Sequence, residues 1–149
     1  MNIALRPAAA EDVPAIVAML ADDILGATRE NPADLTPYRA AFDRLAADPS
    51  QHLLVAELDG RTVGCLQLTV LHGLSRQGRS RALIEAVRVD SALRGRGIGG
   101  TMIRLAVEEA RRLGCALVQL TSDNTRKDAH RFYERLGFRA THTGFKREL

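Results

Sequence analysis

Residues 87–100 read Val-Arg-Val-Asp-Ser-Ala-Leu-Arg-Gly-Arg-Gly-Ile-Gly-Gly, the end of a β-branched strand running through glycines and arginines into a helix. Glycines at 95, 97 and 99 remove the Cβ atoms that hold a ligand away from the backbone. The first N–H groups of the helix have no intrahelical partners, and together with the positive end of the helix dipole they suit a pyrophosphate. Arg94 and Arg96 add counter-charge, since a guanidinium pairs with two phosphate oxygens at once. The plain structural alternative is a turn that packs the helix closely on its strand beside two solvated arginines.

Two other phosphate-binding patterns are tested by context. Gly95-x-Gly97-x-x-Gly100 is a literal GxGxxG, the dinucleotide fingerprint, but that motif wants a buried parallel strand before it and an acid about 20 residues later. Here the preceding strand carries Arg81, Glu85 and Arg88, and the nearest terminal acid, Asp123, comes late. A P-loop is excluded because no Gly-Lys-Ser/Thr follows the glycines.

Around this junction the chain organises as one domain over residues 1–149, with no repeat, low-complexity tract or Pro/Gly/Ser linker to divide it. Ile3 to Arg6 reads as a short strand. A helix then opens near Asp12 and Pro14 with Val13, Ile16, Val17, Leu20 and Ile24 on one face. Thr36-Pro37 starts a second helix, with Tyr38, Ala41, Phe42 and Leu45 inward and Pro49 beyond its end. His52 to Leu58 alternates into Asp59-Gly60, a type I′ turn signal, and Arg61 to Leu71 returns as a hairpin.

After a basic connection at 72–80, Arg81 to Val89 is a strand, and a helix over about Gly97 to Leu113 carries Met102, Ile103, Ala106, Ala110 and Leu113 on its apolar face. Cys115 to Thr121 is a short strand, and Arg126 to Leu136 a helix with Ala129, Phe132, Tyr133 and Leu136 at i, i+3, i+4, i+7. Phe138 to Thr141 and Gly144 to Glu148 are expected to close the chain as strands. The order predicts an α/β (α+β) domain with a single mixed sheet and helices on both of its faces.

Composition narrows the function classes. At 46% apolar and 26% charged residues, this is ordinary globular composition. No apolar run reaches the ~20 residues that span a bilayer, and the start lacks a signal-peptide pattern, so a cytoplasmic protein without membrane partners is expected. Residues 1–59 hold ten acids against four bases and residues 60–149 eight against seventeen. The basic half has no interleaved aromatics for stacking bases, so nucleic acid is not the expected partner. Cys65 and Cys115 lack CxxC spacing, and His52, His72, His130 and His142 show no paired ligand spacing, so no metal is expected.

Arg94-x-x-Gly97-x-Gly99, following Val87-Arg88-Val89, resembles the acetyl-CoA pyrophosphate loop of the GNAT superfamily of N-acetyltransferases. Ala129 to Phe138, Ala-His-Arg-Phe-Tyr-Glu-Arg-Leu-Gly-Phe, is similar to that family's second signature, A-x-x-F-Y-x-x-x-G-F. The Ile3 to Leu20 opening and the Val55 to Gly64 hairpin are similar in order and placement, so the resemblance covers essentially the whole chain. It implies a mostly antiparallel sheet of about six or seven strands, four helices, and a splayed central parallel pair. It further implies acetyl-CoA as co-substrate between those two strands, with the acetyl group passed directly to a primary amine of a small molecule or peptide. By carry-over, backbone groups of Val87 and Val89 hold the pantetheine arm, and Arg94, Gly95, Arg96, Gly97, Gly99 and Gly100 take the pyrophosphate. Homodimerisation is implied by the resemblance alone. One departure is that the family often places Asn three residues before the Ala of its second signature, where this chain has Arg126.

Acetyl transfer to an amine needs a neutral nucleophile. A carboxylate of pKa about 4.3 deprotonates an alkylammonium of about 10.4 usefully only if burial raises its basicity or a water relays the proton. Glu85 is the candidate base, two residues before Val87 and on its face unless a β-bulge reverses the parity; the alternative is a carboxylate paired with Arg81 or Arg88. Tyr133 is the candidate acid for the departing thiolate, in a place where the family often uses tyrosine; the alternative is an aromatic of the core stripe. Asp22, Asp23, Glu30 and Asp34 read either as an acidic rim for a cationic acceptor or as ordinary surface acids. The rival readings for the chain are a non-catalytic acyl-CoA-binding or regulatory domain of the same fold, and a dinucleotide-binding module.

Overall fold

In the computed structural model, which describes residues 1–149, apolar alternation builds a five-stranded sheet in the order β1-β2-β3-β4-β5. β1 (Ile3–Pro7), β2 (Gln51–Leu58), β3 (Arg61–Leu71) and β4 (Arg81–Val89) pair antiparallel in succession, and β5 (Val118–Gln119) runs parallel to β4. Asp59 and Gly60 close the β2–β3 hairpin at φ 51° and 76°, the left-handed pair that a type I′ turn demands.

The helices are α1 (Val13–Ala21), α2 (Gly26–Arg29), α3 (Thr36–Ala47), α4 (Ser75–Gly78), α5 (Ile98–Arg112) and α6 (Lys127–Arg135). The expected mixed sheet with a parallel pair is present, but the pair β4–β5 is not central, because β5 is the edge strand of the sheet. The counts differ, because α2 and α4 are four-residue turns and the sheet has five strands instead of six or seven. Residues 138–149 form no strand: beyond Phe138 every side chain is exposed, with Phe145 at 93%. Arg, Lys, His and Thr make up half of that stretch, and its apolar residues past Phe138, which are Ala140, Phe145 and Leu149, are spread too thinly to give a strand a buried face. Ile24 lies past the end of α1 and is exposed, not part of its buried stripe.

The sheet separates two apolar clusters. On one face Leu54, Ala56, Leu66, Leu68, Val70, Ala82 and Ile84 meet Ile98, Met102, Ile103, Ala106 and Ala110 of α5. Those α5 positions repeat at helical spacing, and each large side chain among them contributes about 1.5–3 kcal/mol by leaving water. On the other face Val55 and Cys65 pack against Ile16 of α1. Burial pushes the Cys65 thiol up to about 12, so it is an inert core residue.

α1 is anchored by a buried carboxylate. Asp12 accepts from Arg6 at 2.8 and 3.0 Å and from the Ala9 N–H at 2.7 Å, while Arg6 also reaches Glu57 at 2.8 Å. The Arg6 hydrogen bonds hold the Asp12 carboxyl below the usual carboxylate range against the opposing cost of burial. Asp12→Asn is expected to cost roughly 1–3 kcal/mol, less than a fully buried pair because Arg6 is partly solvated. A carboxyl depressed on folding stabilises above its unfolded pKa and loses that contribution as pH falls through the folded value. In urea titrations the gap between the two proteins should therefore stay constant from pH 5 to 8 and close below about pH 4.

Candidate active site

β4 is bulged at its middle. Glu85 pairs with Gln67 and Arg88 with Cys65, so Leu66 of β3 faces both Ala86 and Val87, and Ala86 takes a left-handed φ of 52°. The parity expected for Glu85 is therefore reversed. Glu85 shares a face with Arg88, Cys65 and Gln67, toward α1, whereas Val87 and Val89 pack with the α5 cluster on the other face. Glu85 is exposed and makes neither a hydrogen bond nor an ion pair, so it is not the partner of Arg81 or Arg88. The condition of burial is unmet at this carboxylate.

The same bulge opens an edge. The β4–β5 ladder ends at Leu83 and Gln119. Ala82 donates its N–H across to Leu117 O on the β5 side at 2.9 Å, and Asp90 donates to Val63 O on the β3 side at 2.9 Å. Alternation counted back from Asp90 turns the backbone of Val89 and Val87 toward the β5 side, along the unladdered stretch. Ser122, just past β5, has a buried Oγ without a partner, a polar group that no sequence motif singles out.

At the end of β4 the chain turns through Gly95 and Gly97, both at φ 79°, into α5. The first α5 backbone bond beyond the cap is Thr101 N–H to Gly97 O at 3.2 Å, so the amides of Ile98, Gly99 and Gly100 precede the intrahelical ladder. A Cβ built on Gly95 or Gly97 would meet no atom within 4 Å, so the space above the turn is open. At Gly99 a Cβ would touch Phe132 and Val89 at 3.6 and 3.7 Å, which sets α6 beside the same junction. Arg96 is exposed, and Arg94 Nη2 donates to Asp22 O at 3.1 Å, tying the turn to the end of α1. The turn thus offers the free amides and cleared space that a pyrophosphate requires.

Tyr133 packs in α6 between Phe132 and Phe138, with ring centroids 5.0 and 5.9 Å away in edge-on geometry. It borders the main core, as the core-stripe alternative expects, and its hydroxyl makes no hydrogen bond. Burial raises the phenol above its ordinary pKa, opposed by the charges of Arg126 and Arg88, so the group keeps its proton at neutral pH.

An arginine-rich corner beside these residues was not legible in the sequence. Arg88 Nε lies 2.9 Å from Asp23 Oδ2, close enough for an ion pair but without hydrogen-bond alignment, and it is buried without any other partner. Burial pushes the Asp23 carboxyl up, but the Gly26 N–H and the charges of Arg88, Arg29 and Arg126 outweigh that and leave it low. Gly26 is required here, because a Cβ would stand 1.8 Å from Leu20 O. The acidic rim is mostly committed elsewhere: Asp23 to Gly26 and Arg88, Glu30 to the Tyr38 hydroxyl at 2.9 Å, and Asp34 to the Thr36 N–H at 3.1 Å. No cluster of three or more His, Cys, Asp or Glu is arranged to hold a metal, and no helix is long and apolar enough to cross a membrane.

A bulged strand whose ladder to its parallel neighbour stops short, with a glycine turn and a helix N-terminus at its end, gives a mixed α/β domain with an open sheet edge. Residues 18–138 match the model of the acetyltransferase (GNAT) family, and the chain belongs to that family and is an acetyltransferase. It is 32% identical over 148 residues to the aminoalkylphosphonate N-acetyltransferase of Salmonella typhimurium, covering 97% of this chain and 90% of that one. To the glucosamine 6-phosphate N-acetyltransferase 1 of Oryza sativa subsp. japonica it is 35% identical, over 68% of this chain and 61% of the other. A crystal structure described as a transcriptional regulator from Bacillus halodurans superposes with a TM-score of 0.93 at 44% identity, covering 99% of this chain and 100% of that one. The structure of an acetyltransferase from Agrobacterium tumefaciens superposes at 0.83 with 32% identity, covering 98% and 99%.

Proposed function

We propose that the protein transfers an acetyl group from acetyl-CoA directly to a primary amine of a small molecule or peptide. The observation that carries this reading is the open edge of β4 leading straight to the free amides of the Gly95–Gly100 turn. The relatives named as N-acetyltransferases support it. Bound acetyl-CoA supplies a thioester, whose acetyl group is the one transferred and whose thiolate departs.

The chain's own residues divide the remaining work. The amides of Ile98, Gly99 and Gly100, with Gly95 and Gly97 keeping the approach clear and Arg94 and Arg96 supplying charge, hold the diphosphate. Backbone groups of Val87 and Val89 orient the pantetheine arm along the opened edge. An N–H at the bulge polarises the carbonyl oxygen, a preorganised donor that moves no proton. Glu85, through a water, accepts the proton from the acceptor ammonium, and the Tyr133 hydroxyl donates a proton to the departing sulfur.

A second reading is favoured by the Bacillus halodurans structure, whose description names a regulator and not an enzyme. A panel of primary amines incubated with protein and acetyl-CoA, read as free thiol, separates the two. The enzyme reading expects thiol release that depends on the amine. Coenzyme binding by calorimetry without amine-dependent release would overturn transfer to a primary amine and favour the regulatory reading.

A further inference from the structure

We infer that Arg88, Arg29 and Arg126 form a subsite for a phosphoryl dianion on the acceptor, so that the substrate is a short primary amine bearing a phosphonate or phosphate group. The inference rests on the acetyltransferase reading and adds the acceptor class to it. Arg88 is the fixed point. Its side chain is only 17% exposed, it stands on the Glu85 face of β4, and its buried Nε lacks a hydrogen-bond partner. Nη1 donates to Val87 O at 3.0 Å, and Nη2 makes no hydrogen bond.

A guanidinium buried this far with unused N–H groups is costly unless something completes it, and the facing carboxylate of Asp23 does so only in part. Arg29 and Arg126 also act on that one carboxylate, leaving a surplus of positive charge at the corner between α1, α2 and α6. Arg126 has a second acid nearby in Asp123, but that carboxylate already accepts from Thr125 at 2.8 and 2.5 Å and also interacts with Lys146. A surplus of this kind suits a phosphoryl group, which carries about −1.5 to −2 charges at neutral pH and three acceptor oxygens, better than a carboxylate.

Spacing sets the size of the acceptor. The cross-strand partners of Glu85 and Arg88 are Gln67 and Cys65, two residues apart on β3 and on one face. Two residues of strand span about 6.6 Å. An amine delivered near Glu85 therefore carries its phosphoryl group to Arg88 across a chain of a few carbons.

The test compares kcat/KM for 2-aminoethylphosphonate, phosphoethanolamine, β-alanine, taurine and propylamine, with thiol release as the readout. The phosphonate, the phosphate or both should exceed propylamine by about 100-fold, with the monoanionic carboxylate and sulfonate in between. Which of the two is preferred identifies the phosphoryl source. That ratio should fall at least about tenfold in Arg88→Gln and several-fold in Arg29→Gln and Arg126→Gln, whose exposed parent side chains make folding defects a minor concern. Propylamine turning over as well as the phosphoryl amines, or a ratio unmoved in all three variants, overturns the subsite while leaving the acetyltransferase reading intact. If no amine releases thiol, calorimetry with 2-aminoethylphosphonate on the CoA-loaded protein decides. Heat that is lost in Arg126→Gln upholds the subsite, and absence of heat with the unaltered protein overturns it.

Discussion

Gly97→Val is expected to lower affinity for acetyl-CoA by about 100-fold or more while the protein still folds. In the proposed binding mode the diphosphate of the coenzyme takes charge-assisted bonds from backbone amides, each contributing about 1.5–3 kcal/mol, so losing two of them reaches that factor. Gly97 sits at φ 79° as the cap of α5, and in the free protein a Cβ there would meet nothing within 4 Å. The stability penalty is thus confined to holding a β-branched residue in left-handed backbone, on the order of 1–2 kcal/mol or somewhat above. The same open space is where the diphosphate must enter, so the isopropyl group obstructs the ligand and not the fold. Gly60 provides the control, because it has a similar φ of 76° and equally open surroundings in the β2–β3 turn. Gly60→Val should lower the melting temperature by a similar amount and leave calorimetric coenzyme affinity where it was. Equal affinity for Gly97→Val and the unaltered protein would remove the turn from the binding site.

What the sequence made legible follows from how local each signal is. Asp59-Gly60, the α5 stripe from Met102 to Ala110, and the strand-to-helix junction at 95–100 are each specified by residues within one or two turns of one another, and each stands where expected. The reversal at Glu85 was not readable in that way. Ala86 takes a left-handed conformation because β3 fixes Arg88 opposite Cys65 and Glu85 opposite Gln67, a constraint imposed from another strand.

The arginine corner was hidden for a related reason. Arg88 and Asp23 are far apart in the chain, and the bend after α1, held by the close approach of Gly26 to Leu20 O, together with the pairing of β3 with β4 brings them to 2.9 Å. A sign did exist in the glycine, since Gly26 between Leu25 and Ala27 has no turn role that its neighbours explain. The closing strands fail in the opposite direction. Residues 138–149 alternate well enough to suggest pairing, but past Phe138 their apolar side chains, Ala140, Phe145 and Leu149, bury against nothing, and strand propensity without burial stabilises no ladder.

Glu85→Gln is expected to reduce turnover by about 100-fold or more, within the range that a positioned base contributes, with coenzyme affinity retained. The reversed parity makes this expectation sharper than the sequence could. On the Val87 face the carboxylate would have lain against α5 apolar side chains, with no path to an incoming amine. On the Arg88 face it looks toward α1 and the arginine corner, where an acceptor steered by its own anion would present its nitrogen. Gln is nearly isosteric with Glu and keeps an acceptor oxygen, so it can still hold a water but takes no proton from it. The loss should therefore appear in kcat and not in the melting temperature or in calorimetry with the coenzyme. It should also shrink toward high pH, where the fraction of acceptor amine already neutral rises through its own pKa near 10 and the base becomes dispensable. Tyr133→Phe gives the contrasting profile. The phenol, raised by burial, remains protonated across that range, so its removal should slow turnover by a similar factor at every pH up to about 10. A Glu85→Gln deficit that stays constant with pH would assign this carboxylate to binding the acceptor, and full turnover would remove it from the proton path.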